Sequence, residues 1–236
     1  MKDFGLTTPD LLALGFFVAA WAAYHVLIGH GPGADKGLNR LMDNYRVRWM
    51  LEMSERENRI MDSSLMASLQ NGTAFFASTS LLAIGGVSTL LRATDDLLKI
   101  FADLPFGADQ TRTLWELKIV GLILIFGYAF FKFAWSYRLF NYTAILVGAT
   151  PQKISPDKEE RRRTALRAAR MNIAAGRHFT RGQRAFFFAL AYFGWFAGPY
   201  AFMATTAAIL VVMSARQFMS DAQEAVTYNE PPETKA

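Results

Sequence analysis

Four apolar stretches, each about long enough to cross a bilayer, interrupt this chain and leave it few folds to choose from. A helix needs roughly 20 apolar residues to cover the ~30 Å of bilayer hydrocarbon. Residues 11–28, 73–91, 114–135 and 185–213 meet that requirement. In lipid, backbone N–H and C=O groups must be satisfied within the segment, so each stretch is predicted to be a helix. The fold class is therefore all-α: a polytopic membrane protein with four transmembrane helices and helical cytoplasmic extensions. Residues 1–220 form one membrane domain. Residues 221–236 are polar and Pro-containing and read as a disordered tail.

Charge placement orients the spans. Only Lys2 precedes the first stretch, and six Lys or Arg lie between the first and second. Arg92, Lys99, Arg112 and Lys118 flank the gap between the second and third, whereas eleven, from Arg138 to Arg184, lie between the third and fourth. Positive loops stay in the cytoplasm. Segments 34–72 and 138–184 are thus expected inside and both termini outside, as a multi-pass protein of a bacterial inner (cytoplasmic) membrane. Anionic lipid headgroups are the natural partners of such loops. The basic residues lack the aromatic interleaving of a nucleic-acid surface, so no nucleic-acid partner is expected. The chain has no cysteine, which excludes thiol catalysis, disulfides and Cys-held metal clusters. The leader lacks the positive n-region of a cleavable signal, so the first span is expected to be retained, with Thr8 as cap and Pro9 in the first turn.

The loops carry helical patterns. Leu38, Met42, Tyr45, Trp49 and Met53 recur every three or four residues, an amphipathic helix leading toward the second span. It either packs on the protein's own cytoplasmic loop or offers a seam for self-association, and the repeat breaks at Glu52 and Arg56. Ser155-Pro156-Asp157 opens a second helix, capped by Ser155 and expected to run to about Ala175, before Gly176. Its narrow stripe is Leu166, Ala169 and Ile173. Thr94-Asp95-Asp96 precedes a short apolar helix on the outer side.

Candidate functional residues compete with packing explanations. The second span is rich in hydroxyls, and Ser78, Thr79, Gly85 and Thr89 are candidates for lining a polar path or for close helix packing. Ser and Thr in membrane helices ordinarily bond back to their own backbone, which is the plainer reading. Gly194 and Gly198 form a small-residue pair in the fourth span, which is either one helix kinked at Pro199 or two pieces broken there. Arg138, Arg181 and Arg184 form a candidate cytoplasmic basic cluster, and Lys132 is placed to snorkel toward headgroups. With Asn141 and Asn172, these arginines could gather at one interface for lipid chemistry, but no general base accompanies them. His25, His30 and His178 do not make a haem or metal motif, no Gly-rich phosphate loop or nucleophile elbow occurs, and no cofactor is expected.

Several segments carry a resemblance. Gly182-Gln183-Arg184-Ala185-Phe186-Phe187-Phe188-Ala189-Leu190, with Trp195 and Gly198-Pro199, is similar to the last span of a bacterial and plant membrane family catalogued as domain of unknown function 599. Arg48-Trp49-Met50, Phe75-Phe76-Ala77-Ser78-Thr79 and Tyr137-Arg138 with Asn141 follow in matching order. Ala191-Tyr192 departs from a proline-leucine pair there. The resemblance implies topology and no activity. The expectation from the residues is a non-enzymatic homo-oligomer forming a small pore or conduit. The alternative is an accessory or scaffold subunit of a larger membrane complex.

Overall fold

The computed structural model describes residues 5–30, 37–95, 111–218 and 221–227, and every regular element among them is a helix. These are α1 (Thr8–His30), α2 (Leu38–Ser54), α3 (Ile60–Leu90), α4 (Arg112–Ala149), α5 (Lys158–Ala197), α6 (Pro199–Phe218) and α7 (Asp221–Thr227). Four helical segments, those of α1, α3, α4 and α6, are long and apolar enough to cross a membrane.

The spine is an antiparallel hairpin of α4 and α5. At 1.5 Å per residue each exceeds about 55 Å, nearly twice the hydrocarbon thickness. Half of the hairpin therefore lies in an apolar bundle with α1, α3 and α6, and half projects as a basic extension. Buried Ala165, Ala168, Ala175, Ala185 and Ala189 on α5 let the two axes approach. Gly182 is required there: a Cβ would come within 2.6 Å of the Phe133 ring.

Local chemistry sets the helix ends, in places not as expected. Thr7, not Thr8, caps α1. Its hydroxyl accepts from the Asp10 N–H at 3.3 Å, while the Asp10 carboxylate accepts from the Thr7 N–H and hydroxyl at 3.1 and 2.6 Å. This is a capping box closed by aspartate. Asp157, not Ser155, caps α5 by accepting from the Glu160 N–H at 2.8 Å. α5 also does not stop at Gly176. The Arg46 guanidinium lies where a Cβ at Gly176 would point, so this glycine makes room for a partner rather than ending the helix.

The stretch 185–213 is two helices. Gly198 takes φ +132°, a conformation that L side chains rarely adopt, and ends α5. Pro199 then opens α6, where its missing N–H is one of the unpaired donors of any helix start. It is not a kink within one span. α6 doubles back along α5: the Thr205 hydroxyl donates to the Ala191 carbonyl at 2.7 Å, and Phe202 stacks on Trp195. The end of α5 thus becomes an inner rod, with Phe188, Tyr192 and Trp195 buried.

This reversal sets how α6 runs beside α1. Asp10, at the start of α1, meets Trp195; Tyr24, a few turns further along α1, meets the Met213 carbonyl on α6. The start of α1 and the end of α6 therefore lie at opposite ends of the bundle. Residues 221–227, expected in a disordered tail, form α7, whereas 228–236 lie outside the described residues. The short helix expected after Thr94 falls on residues 96–110, also outside them.

In the basic extension, α2 packs on α5, and a five-residue turn separates it from α3, an interruption that the helical pattern leading toward the second span did not announce. Its buried edge is Met50, Met53 and Ser54, while Met42 and Tyr45 of the expected stripe are exposed. A second, smaller core of Met50, Met53, Met66, Phe140, Ala168 and Ala169 results.

Candidate functional sites along the bundle

The candidate path residues of α3 face away from α4. Ser78, Gly85 and Thr89 are exposed, while Thr79 is half-buried. Two of the three hydroxyls are spent on their own helix: Thr79 donates to the Phe75 carbonyl at 2.8 Å and Thr89 to the Gly86 carbonyl at 2.6 Å. Among the described residues Ser78 has no hydrogen-bond partner. These residues do not enclose a path inside one subunit. They belong to an outward face that continues down into the extension, where Ile60 is 72% and Met61 56% exposed.

Gly194 and Gly198 are internal packing devices. A Cβ at Gly194 would collide with the Thr205 side chain, and Gly198 makes the α5–α6 reversal.

At the junction between bundle and extension, cations gather on aromatic rings. The Arg184 guanidinium lies 5.4 Å from the Tyr24 ring centre, and Arg216 lies 5.4 Å from that of Phe187. Lys132 sits 5.0 Å from the Tyr128 ring. Arg184 is within electrostatic reach of Tyr24, Tyr128 and Arg181, and Tyr24 of both Arg184 and Arg216. His178 packs against Trp135, and burial, with Lys132 and Arg181 nearby, holds its pKa below the ordinary histidine value. Arg138 does not join this group. It lies on the exposed side of α4 between Trp135 and Tyr142, donating to the Tyr142 hydroxyl at 2.7 Å. The interface cluster with Asn141 and Asn172 also separates. Asn141 accepts from Gln70, while buried Asn172 accepts from Arg46 through its side chain and carbonyl.

At the opposite end is a buried polar knot that sequence reasoning missed. Lys118 is 1% exposed and donates to the Trp195 carbonyl at 2.8 Å, beside the Trp195 ring. The Trp195 indole N–H in turn donates to Asp10 at 2.7 Å. In sequence Lys118 reads as a flanking charge. Its real task is to satisfy a carbonyl in the last turn of α5, which ends inside protein, away from water. Its position one turn inside an apolar stretch was the available signal.

The tip of the extension is stitched by arginines that sequence reasoning counted only as positive-inside charges. Arg59 donates to the carbonyls of Val147, Thr150 and Pro151, capping α4. Arg161, 3% exposed, pairs with Glu55 and donates to the Lys153 and Ser155 carbonyls. Asp62 accepts from Trp49 and Arg56, each at 2.7 Å. Among the described residues no cluster of three or more His, Cys, Asp or Glu could hold a metal.

A helical bundle with four membrane-length apolar segments and a projecting basic extension defines the class: a multi-pass membrane protein. Within that class, the chain belongs to the family described as protein of unknown function DUF599, whose model matches residues 12–222. Compared with curated proteins and with solved structures, the chain has no significant match.

Proposed function

We propose that this chain is a non-enzymatic protein of the bacterial inner membrane that works as a homo-oligomer joined through α3, with a small polar path along the seam. The single observation that carries the reading is the outward face of α3. Inside the membrane, lipid can cover exposed Phe75 and Leu82. In the extension, about three turns below the span, Ile60, Met61 and Leu65 remain exposed, and water is a poor solvent for them. The same face carries Ser78, Gly85 and Thr89, small enough for close helix approach, and among the described residues the Ser78 hydroxyl has no partner. The basic extension is cytoplasmic by the positive-inside rule, which puts the start of α1 outside and the end of α6 inside.

The absence of cysteine makes the test clean. Ser78→Cys should form oxidised dimers in membranes, while Leu124→Cys, exposed on α4, should not. Ser78→Leu should abolish solute flux in liposomes at unchanged expression. Unaltered flux sinks the path, and no Ser78 cross-link sinks the seam. A second reading, an accessory or scaffold subunit, rests on the same uncovered apolar residues of the extension. It requires a different chain, in fixed ratio, retained in mild detergent.

A further inference from the structure

We propose that Lys132, Arg181, Arg184 and Arg216 form a binding site for a phosphate-bearing anion, at the junction of the bundle and the basic extension. The inference does not depend on assembly through α3. Three helices, α4, α5 and α6, bring Lys132, Arg184 and Arg216 together around Tyr24 and Tyr128, with Arg181 beside Arg184.

What sets them apart is their lack of a counter-charge. Elsewhere in the extension, arginines that leave the surface have specific oxygen partners. Arg46 has Asn172, Arg56 has Asp62, Arg59 has three carbonyls, and Arg161 has Glu55 and two carbonyls. Among the described residues no carboxylate pairs with Lys132, Arg181, Arg184 or Arg216. Lys132, Arg184 and Arg216 lie instead against ring faces. Lys132, Arg181 and Arg184 are half-buried, and such a cation without an anion is costly to hold, because ring faces offset only part of the lost hydration; Arg216 adds an exposed charge beside them. A pre-packed guanidinium keeps its N–H edge free, and that edge matches two oxygens of a phosphate.

The depth of the site fits as well. Lys132 and Arg184 mark where the apolar bundle gives way to the extension, the level of phosphates in the inner leaflet. His178, held toward its neutral form beside Lys132 and Arg181, adds no further charge near neutral pH. A lipid headgroup and a soluble phosphate compound share this chemistry.

The test uses the full chain extracted in mild detergent. Retention of phosphatidylglycerol against phosphatidylcholine is read by native mass spectrometry, and thermal stabilisation is read with inorganic phosphate. Phosphatidylglycerol should be retained preferentially. Arg216→Gln, at an exposed position, should weaken retention by about fivefold, and Arg184→Gln with Arg216→Gln by more. Arg162→Gln with Arg163→Gln removes two exposed arginines of the extension and should leave retention unchanged. Stabilisation by phosphate with no lipid preference, lost in Arg216→Gln, assigns the site to a soluble phosphate compound and upholds it. If the Arg162/Arg163 variant loses as much as the Arg216 variant, the attraction is a general property of the basic surface and the site is refuted. No response to either probe refutes it equally.

Discussion

The apolar bundle and the basic extension are built on the same two long helices but hold themselves together differently. In the bundle, α4 and α5 are locked by interleaved rings. Phe17, Phe188, Tyr192, Trp195 and Phe202 contact one another edge-on, tilted or stacked, and Phe133 meets Phe76, Phe179 and Phe186. In the extension, the shared core is small and mostly Met and Ala, with Phe140 the one fully buried ring, and arginines reach from one turn to the next. Where lipid surrounds the protein, water gives no hydrophobic reward for packing helix on helix, so complementary shape has to supply the attraction. Where water surrounds it, a thin apolar core suffices once charged groups tie the helix ends.

The comparison can be broken at its most demanding point first. Lys118→Ala should cause the largest loss, about 3 kcal/mol or more, because the α5 terminus and Asp10 both lose a buried partner. Reversible unfolding in mixed micelles reads this loss; a variant as stable as the parent would show the knot to be dispensable. Gly182→Leu should follow, at about 1–3 kcal/mol, since any side chain there strikes Phe133. The same measurement applies, and Phe133→Ala in the same chain should restore part of the loss.

In the extension, Asp62→Ala should cost about 1–2 kcal/mol by stranding the Trp49 indole N–H, Arg56 being partly in water. Hydrogen exchange should rise in α2 while the bundle stays protected; a uniform rise would mean the two regions unfold as one. The smallest effect concerns acid. The folded protein binds a proton at His178 less readily than the unfolded chain, whose histidine titrates near 6.5. The unfolded state therefore gains protons first, and stability falls as pH drops through and below about 6.5. His178→Gln should flatten the melting profile between about pH 5 and 7; an identical profile would remove His178 as the cause.

Much of the architecture was legible in the residues. The first three spans and the separation of basic from apolar segments follow from hydropathy and charge, which act along the chain. The reversal at Gly198-Pro199 was only half legible. A glycine followed by proline marks an end and a start, but an apolar run on both sides hides the direction change. The roles of Lys118, Arg59 and Arg161 were not legible. A charge near a span end reads the same whether it reaches solvent or a carbonyl on a distant turn. Arg138, Arg181 and Arg184 looked alike in sequence, yet α4 turns Arg138 outward while α5 sets Arg184 on Tyr24.

The sequence by itself determined that this chain is helical, lives in a membrane and carries its positive charge mainly at one end, because each property is a sum over neighbouring residues. Only the tertiary structure decided that α6 returns along α5, that the two described ends lie apart, and which cations keep no anionic partner. Those outcomes depend on whether a given carbonyl, ring or carboxylate arrives from elsewhere in the chain, and no local pattern records the arrival.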